Sequence, residues 1–405
     1  MPKTIFNIKD ESQLTKAITY SVLIPGLKGD KPEKVENLVA DGIPTLCRTE
    51  KELTNNFGTP KSDGSTKALV MAKALIKQGL EVIFVGFTTA PEKDKLTWSK
   101  WIGDRNSNDL RFACTGDFQG LSDGELIKAC ASRGGCIAVL DCKETYTATE
   151  DDTIASLIQK DIANVVTNNN LTDSQTSFAT AFAPWGKFDN TTVGSDYNNS
   201  YFPGSFAYLM AFANSTIANK NPDGFAAAGN ARGIIPGYVE PKYKFDEVDI
   251  NVLQRKTANS TDLDDIEGVA VNPICYIRTL GNVVWGNRTL KPNTSEASIT
   301  SKLTWGSFLN IAQIVCDITD KAWLASKKYT FEQNNDVLWV NFKSEITPLL
   351  DKLQSGSQIL AYRMIKLKSQ GRGRLDAQID ITPIEAVEDF KINVNLTDSI
   401  SVSVE

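Results

Sequence analysis

The chain has 405 residues, 41% of them hydrophobic and 23% charged, a formal net charge of −6 and no histidine. Without imidazole there is no Ser-His-Asp or Cys-His nucleophile, no HExxH zinc site and no histidine general base, which excludes most hydrolase chemistry. The length suits roughly two or three domains of about 100–200 residues, an acidic balance without a Lys/Arg block argues against nucleic acid as a partner, and no apolar run approaches the roughly 20 residues that span a bilayer.

The opening residues lack a charged stretch leading into an apolar core, so the expectation is a protein made in a cytoplasm, without direct membrane insertion. Seven cysteines, an odd number over a long chain, fit a reducing compartment. Cys130, Cys136 and Cys142 recur every six residues, whereas zinc knuckles use tighter spacing, so the plainer reading is buried small side chains and no metal or other cofactor is expected. Asn-x-Ser/Thr triplets at Asn190, Asn214, Asn287 and Asn395 read as accidents of an Asn-rich composition.

In chain order, a short β-prone patch at 4–8 precedes a polar stretch, and is too short to form a stable strand alone. Alternating apolar residues predict a strand over 17–24, stopped by Pro25-Gly26. Helical period predicts a helix over 66–78 with Gly79 as its stop, then a buried strand over 80–87. A helix from Ser122 ends at Gly134-Gly135 before a buried strand over 136–140. A third helix, capped by Asp152 or Thr153, carries Ile154, Leu157, Ile158, Ile162 and Val165 on one stripe. Another apolar run covers 178–183. Helices alternating with fully apolar strands indicate a mostly parallel α/β sheet covered on both faces.

Residues 189–203, rich in Asn, Thr, Tyr and Gly, read as a surface loop, followed by a helix over 205–218 and a small-residue stretch at 225–237 that permits close backbone approach. The charged, aperiodic stretch 240–267 is the expected domain boundary. Beyond it, amphipathic helices over 305–325 and 335–353 precede strand patterns at 360–367, 374–381 and 389–404, an α+β arrangement. The expected organisation is therefore an arm at 1–17, an α/β domain at 18–268 with a possible division near 190–240, an α+β domain at 269–388 and an arm at 389–405.

The last segment alternates strictly, with apolar residues at 390, 392, 394 and 396 and again at 400, 402 and 404. A free terminus of this kind needs a partner strand. It either pairs within its own domain or, with the orphan patch at 4–8, completes a neighbour's sheet by strand addition. Repeated head to tail, the second option builds rings or helical filaments.

Several blocks together resemble the contractile tail sheath proteins of bacteriophages, tailocins and related injection systems. Near the start these are VLIPGLKG at 22–29, PTLCRTEKEL at 44–53 and FG at 57–58; in the middle, APW at 183–185, FPGS at 202–205 and AAGNARG at 227–233. The most specific are NPI at 272–274, GNVVWGNRTL at 281–290 and YTFEQN at 329–334 before Leu338-Trp339. Their order covers about residues 20 to 400. The family's Arg-Arg-Leu element is replaced by TWGSFL at 304–309, which weakens any carry-over of basic contacts, and its opening PGVY pattern is missing.

The resemblance implies a subtilisin-like α/β sheath domain without catalysis, and subunits stacked as rings, hexameric in that family, around a tail tube, with baseplate and tail terminator proteins as further partners. It also implies assembly in a bacterial host cytoplasm, a final place in the tail of a virion or contractile particle, and contraction that drives the tube through an envelope. The expected strand arms use Ile5, Phe6 and Ile8 at one end and Ile392, Val394, Leu396, Ile400 and Val402 at the other. The turn holding Trp285, Gly286 and Arg288 is expected to organise the core of the carboxy-terminal domain. Lys321, Lys327 and Lys328 are candidates for tube contact, with a solvated helix end as the alternative.

Two rivals remain at this level. A static self-assembling virion or surface-layer protein would also exchange strands but would not contract. A carboxylate-only hydrolase needs just an Asp/Glu pair. Phosphate-loop readings are weak: GSTK at 64–67 reverses the Walker order, and GRG at 371–373 precedes a strand rather than a helix. With no histidine, a histidine protonation trigger is excluded, which leaves a mechanical trigger.

Overall fold

The computed structural model describes residues 20–105, 109–222, 224–254, 268–292, 304–368, 374–384 and 386. Its strands are β1 (Ser21–Leu27), β2 (Pro44–Cys47), β3 (Glu81–Phe87), β4 (Leu110–Cys114), β5 (Ile137–Asp141), β6 (Ala179–Ala183), β7 (Gly186–Phe188), β8 (Tyr201–Phe202), β9 (Tyr238–Pro241), β10 (Asn272–Ile277), β11 (Gly281–Val284), β12 (Ile359–Leu367) and β13 (Asp376–Pro383). Eight form one sheet in the order β11-β10-β6-β5-β4-β1-β3-β2. The six inner strands run parallel, and β2 and β11 close the two edges antiparallel.

The helices are α1 (Glu50–Phe57), α2 (Lys67–Lys77), α3 (Trp98–Gly103), α4 (Asp123–Arg133), α5 (Ile154–Asn168), α6 (Asp173–Thr176), α7 (Asn190–Val193), α8 (Gly204–Ala213), α9 (Gly229–Arg232), α10 (Glu247–Leu253), α11 (Leu309–Lys328) and α12 (Asp336–Ser355). Strand alternation divides the side chains between two cores. Val22, Ile24, Val82, Phe84, Ile137, Val139 and Phe182 face α1, α2, α8 and the start of α11. Leu23, Ile83, Val85, Ala138, Leu140, Ala179 and Ala181 face α3, α4, α5 and α10. Burial on both faces is why these strands read as unbroken apolar runs. The caps fall where the sequence places them: Thr153 accepts from Ser156 N at the start of α5, and Gly134, at φ +68°, ends α4 with the left-handed turn that glycine adopts without strain.

Three local expectations are revised. β1 continues through Pro25-Gly26 to Leu27. Its pairing with β4 ends at Leu23↔Ala113, so the N–H that proline lacks is not needed on that side. Residues 189–203 are not a plain surface loop: Tyr197 and Phe202 are buried, and β7, β8 and β9 form a small sheet over α8. α8 is buried along its whole length, as a helix apolar on every side must be, and its last turn widens into a π-turn over Asn214–Ala218.

The division at 268/269 does not coincide with the packing. β10 pairs in parallel with β6 and β11 follows it, so the chain beyond the charged stretch returns to the main sheet. The break in packing lies inside α11. Leu309, Ala312 and Cys316 join the first core, whereas Ile314, Ile318 and Ala325 pack with Phe342, Ile346, Leu350, Leu353 and Ile359 in a third core. That core supports the antiparallel hairpin β12–β13, paired from Ile359↔Pro383 to Leu367↔Asp376. One helix thus belongs to both lobes.

Candidate functional site

In an open parallel sheet a ligand binds beyond the carboxyl ends of the strands, where the strand order reverses. Here that point lies between β1 and β4, and it is filled. Asp117, just past β4, accepts from Ala68 N at the start of α2 and from Leu27 N at the end of β1, both at 2.9 Å. Gly116, at φ +58°, lies so close to β1 that an added Cβ would fall 1.9 Å from the Pro25 carbonyl oxygen. Further along the same edge Asp141 ends β5, and its carboxylate accepts from Ser205 N and Ser205 Oγ, both at 2.7 Å, at the start of α8. Two helix N-termini, the usual seats for a bound phosphate, are thus occupied by the chain's own carboxylates.

Burial dominates the electrostatics of these groups. It pushes the Asp117 and Asp123 carboxyls up to about 6 and Asp141 up to about 7, against the pull of their N–H and O–H donors. A polar cleft of about 470 Å³ beside them is lined by Asp123, Asp141, Lys143, Glu144 and Asp161. All four of these carboxylates are already engaged: Asp141 by Ser205, Asp161 by Lys143 Nζ and Tyr146 Oη, both at 2.8 Å, Asp123 by Gly120 N at 3.1 Å, and Glu144 by Lys67 Nζ at 3.0 Å and Lys242 Nζ at 3.2 Å. Among the described residues no group of three or more His, Cys, Asp or Glu side chains is arranged to hold a metal ion. All seven cysteines are free and buried, with Cys130 Sγ and Cys136 Sγ 3.6 Å apart.

The Trp285 turn follows β11 at the edge of the main sheet. Trp285 N donates to Pro273 O at 2.8 Å. Arg288 N donates to Asn272 Oδ1 at 2.7 Å, and the Arg288 carbonyl accepts from Asn272 Nδ2 and Thr180 Oγ1, each at 2.8 Å. The Arg288 guanidinium stacks over Phe308 at 4.8 Å. Gly286 packs on Asn272, where a Cβ would come within 2.5 Å of Oδ1. Asn287 joins α11 to the sheet through its side chain, which donates to Asn310 Oδ1 at 2.7 Å and accepts from Asn310 N at 3.1 Å. The turn is a seam between the sheet and the helix shared by the two lobes.

The carboxy-terminal lobe carries the open surfaces. Among the described residues β12 and β13 form a sheet of their own, so each has an outer edge with no strand beside it. Tyr362, Met364, Ile379 and Ile381 cover the third core, and Leu360, Leu367 and Ile384 are exposed. A two-stranded sheet is marginal alone; packing on α11 and α12 supports this one. Lys321, Lys327 and Lys328 lie on the last turns of α11. Lys328 pairs with Glu345, and Lys327 Nζ lies 5.6 Å from the Trp323 ring. The eight arm residues Ile5, Phe6, Ile8, Ile392, Val394, Leu396, Ile400 and Val402 lie outside the described residues.

Sequence reading missed two features. Val337 and Val340 are 65% and 61% exposed on α12, opposite the stripe that marks its buried face, and Leu324 is 58% exposed on α11. β4 escaped because Arg111 interrupts its apolar run; the guanidinium is buried, donating to Gln313 O at 3.0 Å and pairing with Asp317 of α11.

No protein-family model matches the chain, and no curated protein matches it. Among solved structures it is similar to a chain from the contracted sheath complex of an extracellular contractile injection system, PVC, with a TM-score of 0.64 and 17% identity over 94% of this chain and 92% of that one. It is also similar to a chain from the contracted helical sheath of the anti-feeding prophage, with a TM-score of 0.61 and 12% identity over 95% and 94%. A chain from that particle's six-fold symmetrised baseplate gives 0.61 and 13% over 98% and 100%. At such identities the likeness concerns the fold, which is the fold found in contractile sheath assemblies over nearly the whole chain.

Proposed function

We propose that this protein is a structural, non-enzymatic subunit of a contractile tail sheath. The observation that carries the reading is the fold shared with contracted sheath complexes over more than nine-tenths of the chain. The hairpin β12–β13 supports it, because its two edges, which carry no further strand among the described residues, offer main-chain hydrogen bonds to strands supplied by neighbours. In this reading 389–405 and the patch at 4–8 are the arms that make those additions. A contact of that kind is heterologous, so repetition builds stacked rings or a helix rather than a closed pair.

Work then comes from the lattice. If the contracted arrangement has the lower free energy and each subunit's rotation favours the next, contraction is a bistable rigid-body switch needing no nucleotide. The filled crevice agrees with that, since the chain's own carboxylates occupy both phosphate seats. The arms would keep neighbours joined while other contacts change. Partners in this reading are copies of the chain in rings of six, a tube protein met by the lysine-bearing end of α11, and baseplate and terminator proteins at the ends. Assembly takes place in a bacterial host cytoplasm, and the finished place is a particle tail. Truncation after Glu388 tests the arms: the expected product is a folded monomer that no longer polymerises, and normal assembly by the truncated chain would overturn this part of the reading.

A further inference from the structure

A cleft of about 440 Å³ lies between the two lobes, with Phe225 and Trp285 from the body and Ser357, Gln358, Ile384 and Ala386 from the hairpin lobe in its walls. Its polar groups are incompletely used. Gln358 is only 4% exposed, yet its Oε1 has no hydrogen-bond partner, a cost a native fold rarely leaves uncompensated. In the wall formed by 224–229, against which the Gln358 side chain packs at Gly224, the N–H of Ala228 makes no hydrogen bond among the described residues. Ala228 itself is extended, at φ −142° and ψ 165°. Apolar walls, an extended unpaired backbone and a buried free acceptor are the features that receive a short extended peptide. Arg232 completes the rim: its guanidinium lies 4.9 Å from the Phe225 ring, with Nε donating to Ala226 O at 3.1 Å and no carboxylate paired with it among the described residues.

We propose that the occupant is the chain's own segment 387–390, Val-Glu-Asp-Phe. The described chain reaches Ala386 on the lip of the cleft, so the next residues are tethered beside it at an effective concentration of order millimolar, which a free competitor must exceed. In extended continuation Ile384, Ala386, Glu388 and Phe390 share one side, which brings an acid toward Arg232 and an aromatic ring toward the apolar wall. The segment following Gln254, another lining residue, is a poorer fit: it opens with Arg255 and Lys256, of the same charge as Arg232, and contains no aromatic residue through Glu267. Seating 387–390 would fix the root of the tail and splint the two lobes, leaving 392–404 to reach outward. It does not depend on whether the outer part joins a neighbour.

Hydrogen exchange on the full chain tests this. Amides of the 224–229 stretch should exchange about tenfold more slowly in the parent than in Phe390→Glu or Glu388→Lys, which sets like charge against Arg232, while Ile400→Glu, the control for the outer tail, leaves that stretch unchanged even if it abolishes assembly. Equal exchange in the parent and both proximal variants would overturn the proposal, and thermal melts of each variant show whether the body remains folded. As a second measurement, a short bismaleimide should join Ala228→Cys to Phe390→Cys within one chain at any dilution. A link found only between two chains, or no link in a folded protein, would also overturn it.

Discussion

Arg111 enters the first core from the middle of β4, a strand otherwise made of apolar residues, and meets Asp317 there. Losing one member of a buried pair removes the charge that the other faces most closely, and the desolvation of the remaining group is then less well offset. Asp317→Ala should therefore lower stability to urea by about 3 kcal/mol, whereas Arg111→Met combined with Asp317→Leu should recover most of the loss. A loss within about 0.5 kcal/mol in the single variant, as for an ordinary surface site, would contradict this. The buried carboxylates act differently. Asp117, Asp123 and Asp141 are raised above the usual carboxylate value by burial, so the stability tied to their neutral forms is complete below about pH 4 and is lost as pH rises through 6 to 7. Asp141→Asn keeps an acceptor for Ser205 while removing the charge, so its melting temperature should fall less than the parent's between pH 5 and 8; parallel curves would show that Asp141 does not titrate there. These groups also amend the inference from the missing histidine. Imidazole is absent, but burial supplies carboxyls that titrate near neutrality, so proton-linked behaviour is open to this chain.

At the scale of elements, what the sequence made legible follows from how burial writes itself into side-chain order. β3, β5, β6, α2, α4 and α5 were readable because each is apolar on the faces it buries and is bounded by a cap, a glycine or, for β6, Pro184. β4 was not, because one arginine bonded 202 residues away breaks the local pattern. The seam at 285–289 was readable as a motif but not as a place, since Asn272, Thr180 and Asn310, which position it, are polar residues distant in the chain. The same limit hid the outer face of α12, because periodicity identifies the buried stripe and says nothing about a partner on the other side. Val337 and Val340 lie one helical turn apart on that face, and an exposed apolar pair of this kind marks an interaction surface better than a stable monomer. Val337→Glu with Val340→Glu should leave monomer stability within about 0.5 kcal/mol of the parent while reducing the assembled fraction in sedimentation. Unchanged assembly would assign that face to solvent.

For the whole molecule, the division of labour follows from where the cores lie. The eight-stranded sheet and its helices form a body buried on both faces, suited to move as a rigid unit. The hairpin lobe is smaller, with a core of its own and, among the described residues, two open strand edges, and α11 carries it on the body because part of that helix belongs to each. A rigid body with an edge-presenting lobe can form a lattice whose links survive rotation of the bodies. Nothing in that arrangement requires catalysis, and the crevice where a nucleotide would bind is closed by Asp117. The central claim is that this chain polymerises and that its polymer has two states. Negative-stain electron microscopy of the purified protein over a range of concentration and salt tests it most directly: the expected result is rings or long tubes, with a wider and shorter form beside a narrower one. A tube of one fixed diameter under every condition would indicate a static shell, and a strictly monomeric protein at high concentration would contradict the sheath reading itself.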